Sequence, residues 1–248
     1  MPHWEIIILF LVISFVYASV GFGGGSSYLA VLTFFQFPFV EMKLTALVCN
    51  IIVVTGGTLL FIRHGQVNWQ KVLPLVVVSV PLSFLGARLK LSEDTFFIIL
   101  GCCLIVAAIL LWLKTRAAAE GRVFEAHYLR DGALGGAIGF LSGMVGIGGG
   151  IFLSPILNLM RWDVPKKIAA TASFFILVNS VGGIAGQLSS STSGISFAHI
   201  GLLAAAVLVG GQAGAHFGIR LFNPLTIRRV TAVVVLVAGI EVLHKHLH

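Results

Sequence analysis

Charge is what this chain has least of. Lysine, arginine, aspartate and glutamate make up 10% of its 248 residues, and nine of them are acidic. Soluble domains average about 25% charged residues, so a water-facing globular surface is excluded. Scarce carboxylates leave no intramembrane acid pair for catalysis, and no Ser/His pair of the rhomboid type stands out. The zinc-helix motif His-Glu-x-x-His is missing. Cysteine is sparse too: Cys49, Cys102 and Cys103 all lie inside apolar stretches and show no disulfide or metal-ligand spacing. The expectation is a protein that is not an enzyme and that uses neither a metal nor a cofactor. The formal net charge of +7 would suggest nucleic acid for a soluble chain. In a membrane chain, excess Lys and Arg encode orientation instead, so no nucleic-acid partner is expected.

What fills the chain is apolar sequence. Hydrophobic residues reach 58% and mean hydropathy is +1.03. Uncharged stretches recur at Ile6–Val40, Leu44–Ile62, Val72–Ala87, Thr95–Leu113, Gly132–Met160, Ile168–Gly218 and Val230–Ile240. A transmembrane helix needs roughly 20 apolar residues, so the fold class is an all-α polytopic membrane protein embedded in a lipid bilayer. Met1–Val20 lacks a basic leader and a small-residue cleavage site, and reads as a first membrane segment rather than a signal peptide.

Two glycine clusters interrupt this apolar background, Gly21-Phe-Gly-Gly-Gly25 and Gly146-Ile-Gly-Gly-Gly150, offset by 125 residues. At that offset Phe15, Val20, Gly21, Gly23, Gly24, Gly25 and Leu32 meet identical residues. Further on, Gly56-Gly57 corresponds to Gly182-Gly183, and Gly86-Ala87-Arg88 to Gly214-Ala215-His216. The chain is therefore read as a duplication: an N-terminal membrane repeat over 1–114, a cytoplasmic linker over 115–131 and a C-terminal membrane repeat over 132–248. Each repeat reads as a Gly-broken helical hairpin followed by three transmembrane helices, the arms being Glu5–Val20 and Ser26–Val40 in the first half and Gly132–Val145 and Ile151–Met160 in the second.

Loop charges choose the topology. If each broken pair returns to its side of entry, Arg63, Lys71, Lys114, Arg116, Arg122, Arg130, Arg161, Lys166, Lys167, Arg220, Arg228 and Arg229 share one face, against Lys43, Arg88, Lys90 and Lys245 on the other. If each pair crosses once instead, the two faces come out nearly equal. The positive-inside rule selects the first arrangement. The richer face is then cytoplasmic, both termini are external, and the two repeats have inverted topology, as in many secondary transporters.

Glycine at a helix break permits positive φ and close backbone approach. The arm that follows starts with unpaired N–H groups at the positive end of its dipole, an anion site needing no charged side chain. The substrate-binding candidates are Gly23, Gly24, Gly25, Ser26 and Ser27, with Gly148, Gly149, Gly150 and Ile151 in the second copy. Asn50 and Asn179 are added as amides within apolar helices, where an unpartnered amide is costly, with ordinary interhelical hydrogen bonding as the competing explanation. Gln212 is added as a residue two places before Gly214 that would line the same cavity. Arg88 and His216, equivalent in the repeat, are candidates for coupling or vestibule roles, His216 as a proton carrier. Close helix packing is the competing explanation for the glycines. A dinucleotide-binding loop is rejected, because the flanks are membrane helices rather than a strand and a soluble helix. Glu241, an acid inside an apolar run, is expected to pair locally with His244 or Lys245.

The duplicated motif, its continuation Gly146-Ile-Gly-Gly-Gly-Ile-Phe-Leu-Ser-Pro155 and the later Gly-Gly and Gly-Ala pairs resemble the sulfite exporter TauE/SafE family, also called the 4-toluene sulfonate uptake permease family. The first copy has Leu29-Ala30 where the second has Ser154-Pro155, so the two halves need not contribute equally. The resemblance implies a secondary transporter, with export expected, of sulfite, organosulfonates or related small sulfur oxyanions across the bacterial inner membrane. It also implies coupling to an ion gradient, for which the proton is the candidate. A passive anion channel of the same architecture is the alternative.

Overall fold

The computed structural model describes residues 4–19, 23–113, 127–190, 197–218 and 224–247. The larger part of the predicted linker, together with Gly21 and Phe22, lies outside the described residues. Within them the chain forms α1 (Trp4–Ser19), α2 (Gly25–Phe34), α3 (Phe39–Arg63), α4 (Trp69–Arg88), α5 (Glu93–Trp112), α6 (Tyr128–Val145), α7 (Gly150–Leu159), α8 (Pro165–Ser190), α9 (Phe197–Ala213) and α10 (Pro224–Leu247). A π-helical turn, Gly214–Gly218, extends α9. Helix is the expected solution for a chain this apolar, because lipid offers no partners for backbone polar groups. The helices α3, α4, α5, α8 and α9 are long and apolar enough to cross a membrane. Their outward faces carry exposed Val77, Ile109 and Val209, as lipid contact requires. The interior is packed around Phe10, Tyr28, Phe96 and Phe175, all fully buried.

The closest seams are made by small residues. Gly135, Gly139 and Gly143 recur every four residues on one face of α6, and a β-carbon at each would overlap the backbone of Leu75, Ser79 and Ser83 on α4. Gly210 and Gly214 press in the same way on Leu11 and Phe15 of α1. Between helices in lipid, such backbone-to-backbone approach replaces the missing hydrophobic drive.

These registers also give the direction of each helix. Residue numbers rise together along α4 and α6, along α4 and α8 (Val80 with Gly182, Phe84 with Gly186) and along α1 and α9. They rise together along α3 and α9 as well, Val53 lying against Gly211 and Gly56 near Gln212. Between α3 and α8 they run oppositely: Leu47 meets Gly183, and the Val40 carbonyl accepts from Gln187. Hence α4, α6 and α8 point one way and α1, α3 and α9 the other. The counterparts α1/α6, α3/α8 and α4/α9 are antiparallel. The main seams also come in exchanged pairs, α4 with α6 matching α9 with α1, and α4 with α8 matching α9 with α3.

A ten-residue helix such as α2 or α7 rises about 15 Å, half of a roughly 30 Å hydrocarbon core. Both return to the end from which their hairpin set out. Trp162, just past α7, donates from Nε1 to Asp131 in the first turn of α6 (3.0 Å). Lys71, at the start of α4, donates to the Trp162 carbonyl (2.8 Å) and to Asp163 (3.2 Å). At the opposite end, Glu41 near the start of α3 meets His199 near the start of α9 at 3.1 Å, and the Phe37 ring, just past α2, lies against the same imidazole. Lys71 and His199 are each the third residue of their helix. Each therefore clamps the return of the other half's hairpin.

Two stability outcomes follow. Gly143→Leu should destabilise the protein by about 1–3 kcal/mol through overpacking, whereas Gly57→Ala, whose β-carbon would meet nothing within 4 Å, should be neutral or gain up to about 1 kcal/mol. Lys71→Met, which strands a buried Asp163, should cost about 3–5 kcal/mol, and much of that should return in Lys71→Met/Asp163→Leu. Thermal unfolding in detergent measures both.

Candidate functional site

The glycine clusters meet at the middle of α3 and α8. A β-carbon on Gly23 would stand 2.6 Å from Asn50 Oδ1 and 3.2 Å from the Ile176 side chain, and one on Gly148 would stand 2.6 Å from Asn50 Nδ2 and 3.1 Å from Ile176. Asn50 and Ile176 occupy equivalent places in the repeat, at the offset that relates Gly56 to Gly182. Each cluster therefore touches both members of this pair. One half contributes an amide and the other a hydrocarbon, which makes the junction polar on one side. Gly25 lies directly against the Ile147 carbonyl. Asn50 Nδ2 donates to that same carbonyl at 2.9 Å, across the boundary between the halves.

The two clusters use glycine differently. In the second, Gly146, Gly148 and Gly149 have φ of 85°, 85° and 79°, a left-handed backbone that strongly favours glycine. In the first, Gly24 has φ −91°, and what glycine supplies at Gly23 and Gly25 is room for Asn50 and Ile147. The chain then enters α2 and α7. Tyr28 N–H to Gly24 O (2.9 Å) is the first bond of α2, leaving the N–H groups of Gly25, Ser26 and Ser27 ahead of it. In α7, Gly150 and Ile151 precede the bonds from Phe152 and Leu153 to Gly149 O. Such leading N–H groups have no partner within their helix.

Around these helix starts, buried side-chain groups stand without hydrogen-bond partners among the described residues: Ser26 Oγ, Tyr28 OH, Asn50 Oδ1, Ser142 Oγ and Ser180 Oγ. Ser142 sits beside Gly149 and Ser180 beside Gly148. Ser27 is engaged, its hydroxyl 2.7 Å from Tyr17 OH at the end of α1. Buried polar groups are nearly always paired, so unpaired hydroxyls beside both glycine clusters make this region the candidate for holding polar atoms. Three serine hydroxyls and two helix starts are hydrogen-bond donors, a set suited to an acceptor-rich ligand.

Other candidates are placed elsewhere. Asn179 faces α4: its Nδ2 donates to Ser79 Oγ and Phe175 O (both 2.9 Å), and its main-chain carbonyl accepts from Ser83 Oγ (3.0 Å). It is an interhelical clamp, and its neighbour Ser180 takes the place at the cluster. Gln212 is exposed on α9 near Gly56, six residues and so about 9 Å along α3 from Asn50. Arg88, its guanidinium over the Phe84 ring at 5.6 Å, and His216 end their helices at opposite faces, away from the crossing. Glu241 forms no ion pair among the described residues. It lines, with Lys245, Thr33 and Gln36, a separate cavity of about 230 Å³ between α2 and α10.

Sequence reasoning missed three residues. Ser142 precedes Gly146 by one helical turn, a spacing that could have flagged it. Asp131, assigned to the linker, is fully buried in α6, and Lys43, counted as a loop charge, is buried in the second turn of α3. Only the packing of distant segments reveals their burial.

Comparison with known proteins places these features in a lineage. The family described as sulfite exporter TauE/SafE matches residues 6–242. The chain is 34% identical to the probable membrane transporter protein y4hK of Sinorhizobium fredii, over 95% of this chain and 96% of that one. It is 28% identical to the probable membrane transporter protein YunE of Bacillus subtilis, over 97% of each. The probable membrane transporter protein MJ0441 of Methanocaldococcus jannaschii is 27% identical over 76% of this chain and 73% of its own. No solved structure matches.

The hydroxyls and the amide should separate in a stability assay. Ser142→Ala and Ser180→Ala delete buried hydroxyls that satisfy nothing in the fold and should leave stability unchanged or raise it by up to about 1–3 kcal/mol. Asn50→Ala leaves the Ile147 carbonyl unpaired and should cost about 1–3 kcal/mol. Chemical denaturation of the purified variants in detergent tests the contrast.

Proposed function

Since the chain belongs to the sulfite exporter TauE/SafE family and is a multi-pass membrane transporter, we propose that it carries sulfite, organosulfonates or related small sulfur oxyanions outward across the bacterial inner membrane. The carrying observation is the set of buried, unpartnered hydroxyls of Ser26, Ser142 and Ser180 at the starts of α2 and α7. A sulfonate presents three acceptor oxygens on one negative charge. Hydroxyls, backbone N–H groups and the positive ends of two helix dipoles satisfy it without a tight ion pair, so it can also be released.

The antiparallel counterparts support the inverted-repeat reading, with repeats over 1–114 and 132–248. In such transporters the site lies where the repeats meet, and one repeat rocks against the other to open it alternately. Here the meeting point is the crossing of the clusters. The Lys71–Asp163 and His199–Glu41 contacts stand at opposite ends, where opening and closing would take place. Lys71, Arg130 and Arg161 cluster at one end and Arg88 at the other, in keeping with a cytoplasmic face at the former and external termini. Coupling to a proton gradient belongs to the same proposal.

Purified protein in liposomes, with labelled sulfite and a small organosulfonate, tests this. Saturable flux that is stimulated by substrate on the trans side is the expected result. Absence of flux for every sulfur oxyanion would overturn the substrate assignment, and fast, non-saturating conductance would replace the carrier with a channel. Gly149→Val, forcing a β-branched residue to φ 79°, should lower flux at least about tenfold in protein that still inserts, while Gly57→Ala should transport as the parent does.

A further inference from the structure

The site described so far has no countercharge, yet a buried cation adjoins it. Lys43 is 5% exposed. A β-carbon on Gly146 would stand 3.1 Å from the Lys43 Cα and Cβ and 3.3 Å from its Cγ, so the second glycine cluster begins directly on this side chain. Asn50 follows seven residues later, two turns along the same face of α3. The segment Gly146–Gly148 therefore runs over α3 from Lys43 to Asn50 and ends beside the Ser180 hydroxyl.

The Lys43 ammonium has no hydrogen bond or ion pair among the described residues. It stands over the Phe96 ring, 5.9 Å from its centroid. Nearby acids are otherwise placed. Glu41 meets His199 and, two residues away, projects from a different side of α3. Asp94 lies 3.8 Å from His246, and Glu93 is exposed in the first turn of α5. A cation–π contact offsets only part of the desolvation of an ammonium. Charges inside a membrane protein are found paired or along a substrate path.

We propose that Lys43 is the countercharge of the transported anion, meeting it on the outer side of the cluster crossing and selecting charged oxyanions over neutral solutes of the same shape. This rests on the anion-transport reading. The aliphatic stem of Lys43 packs on Gly146, at the edge of the second cluster, and its ammonium lies under cover over the Phe96 ring. A purely structural role would be to offset the negative C-terminal end of α6, which Gly146 caps. The two roles predict different kinetics.

The experiment compares wild type, Lys43→Met and Lys43→Arg in liposomes, measuring labelled-sulfite flux against concentration, with melting in detergent with and without sulfite. The expected result is a KM raised at least tenfold in Lys43→Met, a KM within threefold of wild type in Lys43→Arg, and sulfite-dependent stabilisation present in wild type and lost in Lys43→Met. Unchanged KM in Lys43→Met beside wild-type flux overturns this inference and leaves the anion reading standing. If Lys43→Met does not insert, Lys43→Gln takes its place, and a KM equal to wild type in that variant overturns the inference equally. Absence of sulfite flux in wild type overturns the anion reading and this inference with it.

Discussion

The Ile147 carbonyl is the point on which the two halves of this protein depend. A helix broken in the middle of a membrane exposes backbone groups that lipid cannot satisfy. Here the exposed carbonyl of one half is taken up by Asn50 of the other, in a region that glycine keeps open to the backbone. The same contact that makes the break tolerable joins the repeats. It places the starts of α2 and α7 beside one another, with their unpaired N–H groups and the hydroxyls of Ser26, Ser142 and Ser180.

Glycine serves two separable purposes. Along α6 and α9 it removes side chains so that helices touch backbone to backbone, and those glycines stabilise the bundle without touching the crossing. At Gly146, Gly148 and Gly149 it allows a left-handed backbone. At Gly23 and Gly25 it leaves space for Asn50. Close helix packing and backbone freedom at the breaks are thus both served by glycine in this chain, at different positions.

Buried charge is organised at both ends around the hairpin returns. Lys71, Asp163, Asp131 and Trp162 lock one end, and Glu41 with His199 the other. The equivalent members Lys71 and His199 differ in chemistry, one an ammonium and the other an imidazole. Asn50 and Ile176 differ likewise. The helices pair in matching ways in the two halves, while the side chains at equivalent places and the backbone of the two glycine clusters differ.

Much was legible in the sequence because it rests on local rules. Scarce charge and long apolar stretches made a helical membrane protein the one available class, and glycine spacing marked the duplication and the breaks in its helices. Ser26 and Asn50 were within reach because each is a polar residue in an apolar setting near a cluster. Asn179 satisfied the same criterion and proved to be a clamp on α4, since the side to which an amide turns depends on which helix packs against it. Lys43, Asp131 and Ser142 escaped notice for the related reason that burial is a property of neighbours distant in sequence. The sequence by itself determined that helices would form, where they would break and that the breaks would come in pairs. Only the tertiary structure decided which backbone group at each break meets which side chain, because those partners, such as Asn50 and Ile147, lie some hundred residues apart and are joined by packing alone.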